Sequence, residues 1–198
     1  MTDHVLYTIV ASTRPGRIGL PIGQWVHERA IGHGAFKAEL VDLAEVNLPM
    51  LDEPRHPRLR RYEHDHTRHW SDTVARADAF IFVVPEYNNG FNAPIKNAID
   101  YLYHEWLHKP VGFVSYGGVS AGTRSVQMLK QVVTTLKMVP IFEAVNIPFV
   151  MNFVDDRGNL HPNDEMEIAC RAMLDELARW TPTLRTHANA EELTGTAH

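Results

Sequence analysis

Cysteine is nearly absent from this chain. Cys170 stands alone, so no disulfide can form within it and the stapled framework of a small secreted domain is excluded. Long apolar runs are missing too, since nothing approaches the ~18 consecutive apolar residues of a membrane-spanning helix. The opening Met1-Thr2-Asp3-His4 has neither the positive stretch nor the apolar core of a leader. Basic excess is absent: 19 Lys and Arg face 24 Asp and Glu, and the formal net charge of −5 gives no reason to expect nucleic acid or an anionic membrane as partner. No Gly-Lys-Ser/Thr marks a Walker loop, and the three-glycine spacing of the dinucleotide fingerprint does not occur. What these absences leave is a protein expected in the cytoplasm, with no membrane or nucleic-acid partner. Its 198 residues, 44% hydrophobic, suffice for one well-buried domain. That domain is expected over residues 1–181, with the polar, small-residue-rich 182–198 as a disordered tail.

The stretch that is richest in signal runs from Ala79 to Tyr103. Ala79-Phe80-Ile81-Phe82-Val83-Val84 is an unbroken apolar run ended by Pro85, as expected of a strand buried on both faces in a parallel sheet. Glu86-Tyr87-Asn88-Asn89-Gly90-Phe91-Asn92 is rich in residues that tolerate left-handed backbone and suits a tight loop. Pro94, followed by Ile95, Ala98, Ile99 and Leu102 at helical spacing, starts a helix at once. A strand, a rigid polar loop and an immediate helix place a ligand over the carboxyl end of an α/β sheet.

Two further strand-to-helix loops share that form. Val5 to Ala11 is a strand that runs into Ser12-Thr13-Arg14-Pro15-Gly16-Arg17 and a helix with Ile22, Trp25, Val26 and Ala30 on one face. Hydroxyls, guanidiniums, a glycine and a helix N-terminus suit an anion; a capped helix with two solvated arginines is the plainer alternative. Val111 to Tyr116 is another buried strand, followed by Gly117-Gly118-Val119-Ser120-Ala121-Gly122, either a tight turn or backbone pressed against a ligand. Phe36 to Leu43 and Val139 to Val145 complete five strands, with Pro140 suited to a sheet edge. The last helix is expected from about Asn163 to Trp180, with Cys170 packed on it rather than reactive. Strands alternating with helices predict a five-stranded parallel sheet in the order 2-1-3-4-5 with helices on both faces, an order that brings loops one, three and four to one crevice.

Between the second strand and the next helix lies a connection of roughly twenty residues, long for a compact domain. It and the start of that helix hold Arg55, Arg58, Arg60, Arg61 and Arg68. The arginines either form a solvated or intersubunit surface, or cover the crevice and attract a phosphate. His64, His66 and His69 fit no common metal spacing and have no cysteine beside them, so no metal is expected.

Together, Ser12 to Arg17, Pro85 to Gly90 with Pro94, Lys96-Asn97-Ala98 and Asp100, and the Ser115 to Gly118 loop resemble the NADPH-dependent FMN reductase family, a flavodoxin-like group that includes quinone, azo and chromate reductases. The resemblance covers about residues 5 to 145 and implies a flavodoxin-like three-layer α/β/α sandwich. It implies FMN with NADPH or NADH as cofactors, and Ser12, Thr13, Arg14 and Arg17 at the FMN phosphate. Pro85, Glu86, Tyr87, Asn88 and Gly90 are then expected beside the isoalloxazine, with Ser115, Gly117 and Gly118 at its other edge. The implied activity is hydride transfer from nicotinamide to FMN and on to a flavin, quinone or similar small acceptor, with no dedicated protein acid, base or nucleophile. The implied assembly is a homodimer or homotetramer, with Tyr101, Tyr103 and Trp106 giving aromatic surface near the crevice. The alternative is a flavodoxin-type FMN electron carrier without NAD(P)H turnover, against which the mild net charge counts, since a carrier usually presents a strongly acidic docking face.

Overall fold

A computed structural model describes residues 4–194, and their side chains from 4 to 190. Strands β1 (Val5–Val10), β2 (Lys37–Asp42), β3 (Ala79–Pro85), β4 (Pro110–Tyr116) and β5 (Val139–Ile147) form one parallel sheet in the order β2-β1-β3-β4-β5. Pro140 lies in β5, an edge strand, as its missing N–H requires. All seven residues of β3 are buried, which accounts for the absence of polar alternation in its sequence.

Side chains alternate along the strands to build two cores. Tyr7, Phe80, Phe82 and Phe113 face one side, where they meet Trp70 of α3 (Asp65–Arg76), Ile95 and Ile99 of α4 (Ala93–Asp100), Leu129 and Val133 of α5 (Thr123–Thr135), and Trp106. Leu6, Ile81, Val83 and Val114 face the other, under Ile22 and Val26 of α1 (Gly19–His33) and Met173 and Leu177 of α6 (Asp164–Thr194). A single helical turn, α2 (Leu43–Val46), follows β2 directly. Cys170 is fully buried in the second core, and burial pushes its thiol up to about 12.

The chain end differs from expectation. Helix α6 does not stop at Trp180; it continues through Pro182 to Thr194, so the part of the expected 182–198 tail that is described is helical, and 195–198 lie outside the described residues. Along this stretch Thr181, Thr183 and Thr186 each donate to the carbonyl four residues back. Thr181 is buried, and Arg185 pairs with Asp78 at the foot of β3 (3.3 Å).

Lys109, before β4, crosses under the sheet and donates from Nζ to the carbonyls of Val74 (3.0 Å) and Ala75 (3.2 Å) at the end of α3. Burial lowers its pKa from 10.5 to about 8, partly opposed by Asp78 and Glu105. Between those two values the unfolded chain holds more protons than the folded one, so this group makes stability rise with pH across the window. In urea unfolding, wild-type stability is expected to rise relative to Lys109→Met by up to roughly 3 kcal/mol from neutral to strongly alkaline pH, as the penalty on the buried ammonium is relieved. A pH-independent difference would show that the ammonium is not desolvated.

Candidate functional site

Loops one, three and four come together at the carboxyl edge of the sheet around a crevice of about 400 Å³. Its lining includes Arg14 and Ile18 from the first loop, Pro85, Glu86 and Tyr87 from the third, and Tyr116, Gly117 and Gly118 from the fourth. A fourth wall, Phe149, Val150, Met151 and Asn152, comes from the turn after β5.

The first loop divides its two arginines. Arg17 donates from Nη1 to Asp42 Oδ1 (2.6 Å) and to the Ser12 carbonyl (2.8 Å), and from Nη2 to Asp42 Oδ2, a bidentate pair with both side chains largely buried. Its pKa is raised, first by the hydrogen bonds to Asp42. Asp42 also caps α2 through Ala44 N (2.9 Å). Arg17 is therefore committed to shaping the loop and not turned to a ligand, which corrects the expectation that it holds a phosphate. The Arg14 guanidinium, by contrast, is exposed at the crevice and has no hydrogen-bond or ion-pair partner among the described residues.

Three features beside Arg14 favour an anion. Helix α1 has no side-chain cap, which leaves its first N–H groups free of a side-chain partner. Ser12 Oγ is wholly buried next to the Tyr116 hydroxyl, without a well-aligned hydrogen bond to any described residue. Burial pushes the Tyr116 hydroxyl up to about 12, so at neutral pH it keeps its proton and remains a donor. Gly19 makes this corner possible, since a Cβ there would lie 2.2 Å from Ser12 Oγ and 2.5 Å from the Tyr116 hydroxyl. Thr13 turns the other way, into a neighbouring hollow with Leu43, Asn47 and Pro94.

The third loop is a two-residue hairpin turn. Tyr87 and Gly90 exchange backbone hydrogen bonds (2.9 and 3.0 Å), with Asn88 and Asn89 between them at φ 51° and 67°, the left-handed pair that asparagine tolerates. Tyr87 reaches the crevice, whereas Asn88 and Gly90 build the turn behind it and do not line it. Glu86 latches this loop to the fourth. Its carboxylate, 7% exposed, accepts from Ser120 Oγ (2.7 Å), Arg124 N (3.1 Å) and Arg124 Nη1 (3.0 Å), and Arg124 reaches on to Asn89 Oδ1 (2.9 Å). Burial alone would raise its pKa, but the bonds from Ser120 and Arg124 more than offset that and hold it below the usual carboxylate range. Asn92 ties the loop to the first through Ala11 O (2.6 Å).

In the fourth loop Gly117 and Gly118 line the crevice, their carbonyls accepting from Val150 N (3.1 Å) and Phe149 N (3.0 Å). Gly122, at φ 79°, has no room for a Cβ, which would lie 2.7 Å from Tyr116 N. Ser115 is spent internally, its Oγ 2.8 Å from Ala121 O and 2.9 Å from Asn146 Oδ1, so it supports the loop and does not face the crevice, contrary to expectation.

Other expected features fall elsewhere. Tyr101, Tyr103 and Trp106 are buried and give no aromatic surface: Trp106 bonds Ile99 O, and the Tyr101 hydroxyl bonds Pro49 O and Asp52. Asn97 clasps the same connection through Pro49 O (2.7 Å) and Leu51 N (2.9 Å). The arginine-rich segment is held down by Glu105, a buried carboxylate that accepts from Tyr62 (3.1 Å) and Ser71 (2.7 Å) and lies 4.0 Å from Arg60. Arg58 stacks over Tyr103 and lines a separate groove of about 780 Å³ with α4 and α5. His66 pairs with Asp52 and stacks on His64; no cluster able to hold a metal occurs among the described residues. The walls that sequence reasoning missed are Tyr116 and 149–152. Their signal was the apolar run Ile147-Pro148-Phe149-Val150-Met151 directly after the last strand.

A family model described as NADPH-dependent FMN reductase matches residues 6–152. An NAD(P)H-dependent FMN reductase of Schizosaccharomyces pombe is 42% identical over 152 residues, 75% of this chain and 75% of its own. One from Nectria sp is 34% identical over 147 residues, 71% of this chain and 73% of its own. Among solved structures, FerB, a flavoenzyme NAD(P)H:(acceptor) oxidoreductase from Paracoccus denitrificans, superposes with a TM-score of 0.73 at 19% identity, covering 91% of this chain and 98% of its own, and shares the fold.

The two arginines are expected to fail differently on substitution. Arg17→Ala leaves a buried carboxylate unpaired and should cost about 3–5 kcal/mol of stability in urea unfolding. Arg14→Ala should leave the unfolding midpoint in place and weaken binding of inorganic phosphate or a phosphorylated ligand ten- to a hundredfold, about 1.5–3 kcal/mol for a charge-assisted contact. Equal stability losses in the two variants would contradict this division.

Proposed function

We propose, given that this chain belongs to the NADPH-dependent FMN reductase family, that its crevice binds FMN and that it passes two electrons from NAD(P)H to a small acceptor, a free flavin or a quinone. The observation that carries this reading is the unpartnered Arg14 guanidinium beside an uncapped helix N-terminus and a buried Ser12 hydroxyl, in a crevice that Tyr87, Tyr116, Gly117 and Gly118 also line. Those groups fit a phosphate joined to a flat ring.

Bound FMN supplies the chemistry, accepting a hydride and giving up two electrons to the acceptor. The chain supplies position. Arg14, Ser12 and the first amides of α1 would hold the phosphate, with the protonated Tyr116 hydroxyl as a further donor. Pro85 ends β3 rigidly, and the Glu86–Arg124 latch fixes the third loop against the fourth, so that the two loops keep a constant separation around the ring. No side chain is needed to move a proton between reactants. Reduction of a quinone consumes one NAD(P)H and one solvent proton and yields hydroquinone and NAD(P)+.

The same reading sets the protein in the cytoplasm, which its single buried cysteine suits, as a homodimer or homotetramer. The groove between the arginine-rich segment, α4 and α5, with Leu51, Phe91 and Met128 in its lining, supports self-association. Relatives described as NADPH:quinone oxidoreductase from Arabidopsis thaliana and as NADPH azoreductase from a Bacillus strain favour enzymatic turnover over a carrier role. Purified protein with FMN and NADPH in air is expected to oxidise NADPH in large excess over FMN, faster with added quinone. Absence of turnover with every flavin and quinone tried would remove the enzyme reading, and failure to retain FMN would remove both flavin readings.

A further inference from the structure

Phe149 combines two properties that seldom occur together. Its backbone lies at φ 43° and ψ 49°, the left-handed region in which a bulky side chain is a rare outlier. Its side chain is 55% exposed, so burial of the ring does not compensate for that conformation. The segment around it is firmly held. Phe149 N donates to Gly118 O (3.0 Å), Val150 N to Gly117 O (3.1 Å), Asn152 N to Phe149 O (2.8 Å), and Val150, 5% exposed, anchors the turn in the core. The turn would hold its shape equally well with glycine, yet it carries an aromatic ring at the mouth of the crevice. Met151, 64% exposed, stands two residues on along the same wall, and Tyr87 lines the same crevice.

We infer that Phe149, supported by Met151, is a specificity-determining wall of this crevice, selecting neutral, flat, aromatic acceptors over hydrophilic anionic ones. The inference rests on the flavin-reductase reading and adds the residue that discriminates among acceptors. An aromatic face and an adjacent thioether offer stacking and sulfur–ring contact to a planar apolar molecule and nothing to a hydrated anion. The wall is carried by the turn after β5 and the Arg14 guanidinium by the loop after β1, so the wall's contribution is expected on the second ligand and not on retention of the phosphate.

The test measures steady-state turnover of the FMN-loaded enzyme with NADPH and two probes, menadione and ferricyanide. Menadione takes two electrons and two protons, and a pair of ferricyanide ions takes two electrons with release of one proton. Phe149→Gly removes the ring and relaxes the backbone; Phe149→Ala removes the ring and keeps the left-handed conformation. Both are expected to raise KM for menadione and to lower the menadione-to-ferricyanide ratio of kcat/KM roughly tenfold, the loss of one aromatic contact. FMN affinity should stay within a few-fold, Phe149→Tyr should restore the ratio, and the glycine variant should melt no lower than the alanine one. An unchanged ratio in both variants would overturn the inference, as would a fall in FMN affinity that matches the fall in turnover. A wild-type protein that does not turn over NADPH would instead bring down the flavin-reductase reading itself, before any variant is compared.

Discussion

In a parallel sheet all strands finish at one edge, and this chain's site follows from where its winding reverses. β1 lies between β2 and β3, and the helices that follow β1 and β3 depart to opposite faces, α1 toward α6 and α4 toward α3 and α5. The backbone cannot close the gap between two helices leaving in opposite directions, so an opening there is a consequence of topology. β3, buried along its full length as β4 is, has no polar face to present and so takes an interior place in the sheet.

Given the opening, charge is used mainly to hold its rim. Asp42 fixes the first loop through Arg17, Glu86 fixes the third to the fourth through Arg124 and Ser120, and Glu105 fixes the long second connection through Tyr62 and Ser71. Each is a carboxylate largely removed from water, and each has its partners on an element far away in sequence. Such pairs contribute little net stability against an apolar substitute, but breaking one leaves a buried charge, so they select one loop geometry over its neighbours. Arg14 stands outside these networks, so its charge has no ion-pair partner among the described residues.

Much of this was legible in the sequence where the signal is local. The apolar run of β3, Pro85, the Asn-Asn turn and Pro94 each act within a few residues, and the resulting strand, hairpin and helix sit where the residues require them. What escaped was pairing at a distance. Arg14 and Arg17 look alike in a loop, and only the approach of Asp42, 25 residues on, assigns one to structure. Ser115 looked like a ligand contact until Asn146 and Ala121 claimed its hydroxyl, and Tyr101 and Trp106 looked exposed because their burial depends on distant partners, the 49–52 connection over Tyr101 and Trp70, Phe80 and Phe82 around Trp106. Phe149 was passed over because a loop residue's backbone conformation leaves no trace in composition.

The crevice is lined by groups of two kinds, and this constrains what it can accept. The loop after β1 brings a guanidinium, with an uncapped helix start and buried hydroxyls near it; Tyr87, Phe149 and Met151 bring apolar bodies with little charge. A simple anion would leave the apolar groups wet, and a simple hydrocarbon would leave Arg14 with no counter-charge. A molecule that is anionic in one part and flat and apolar in another would meet both needs. A docking protein would need charged groups facing outward around that mouth, yet the carboxylate beside it, Glu86, is turned inward onto Arg124 and Ser120. The rim therefore favours a small planar molecule that comes and goes over a protein surface that meets it edge-on.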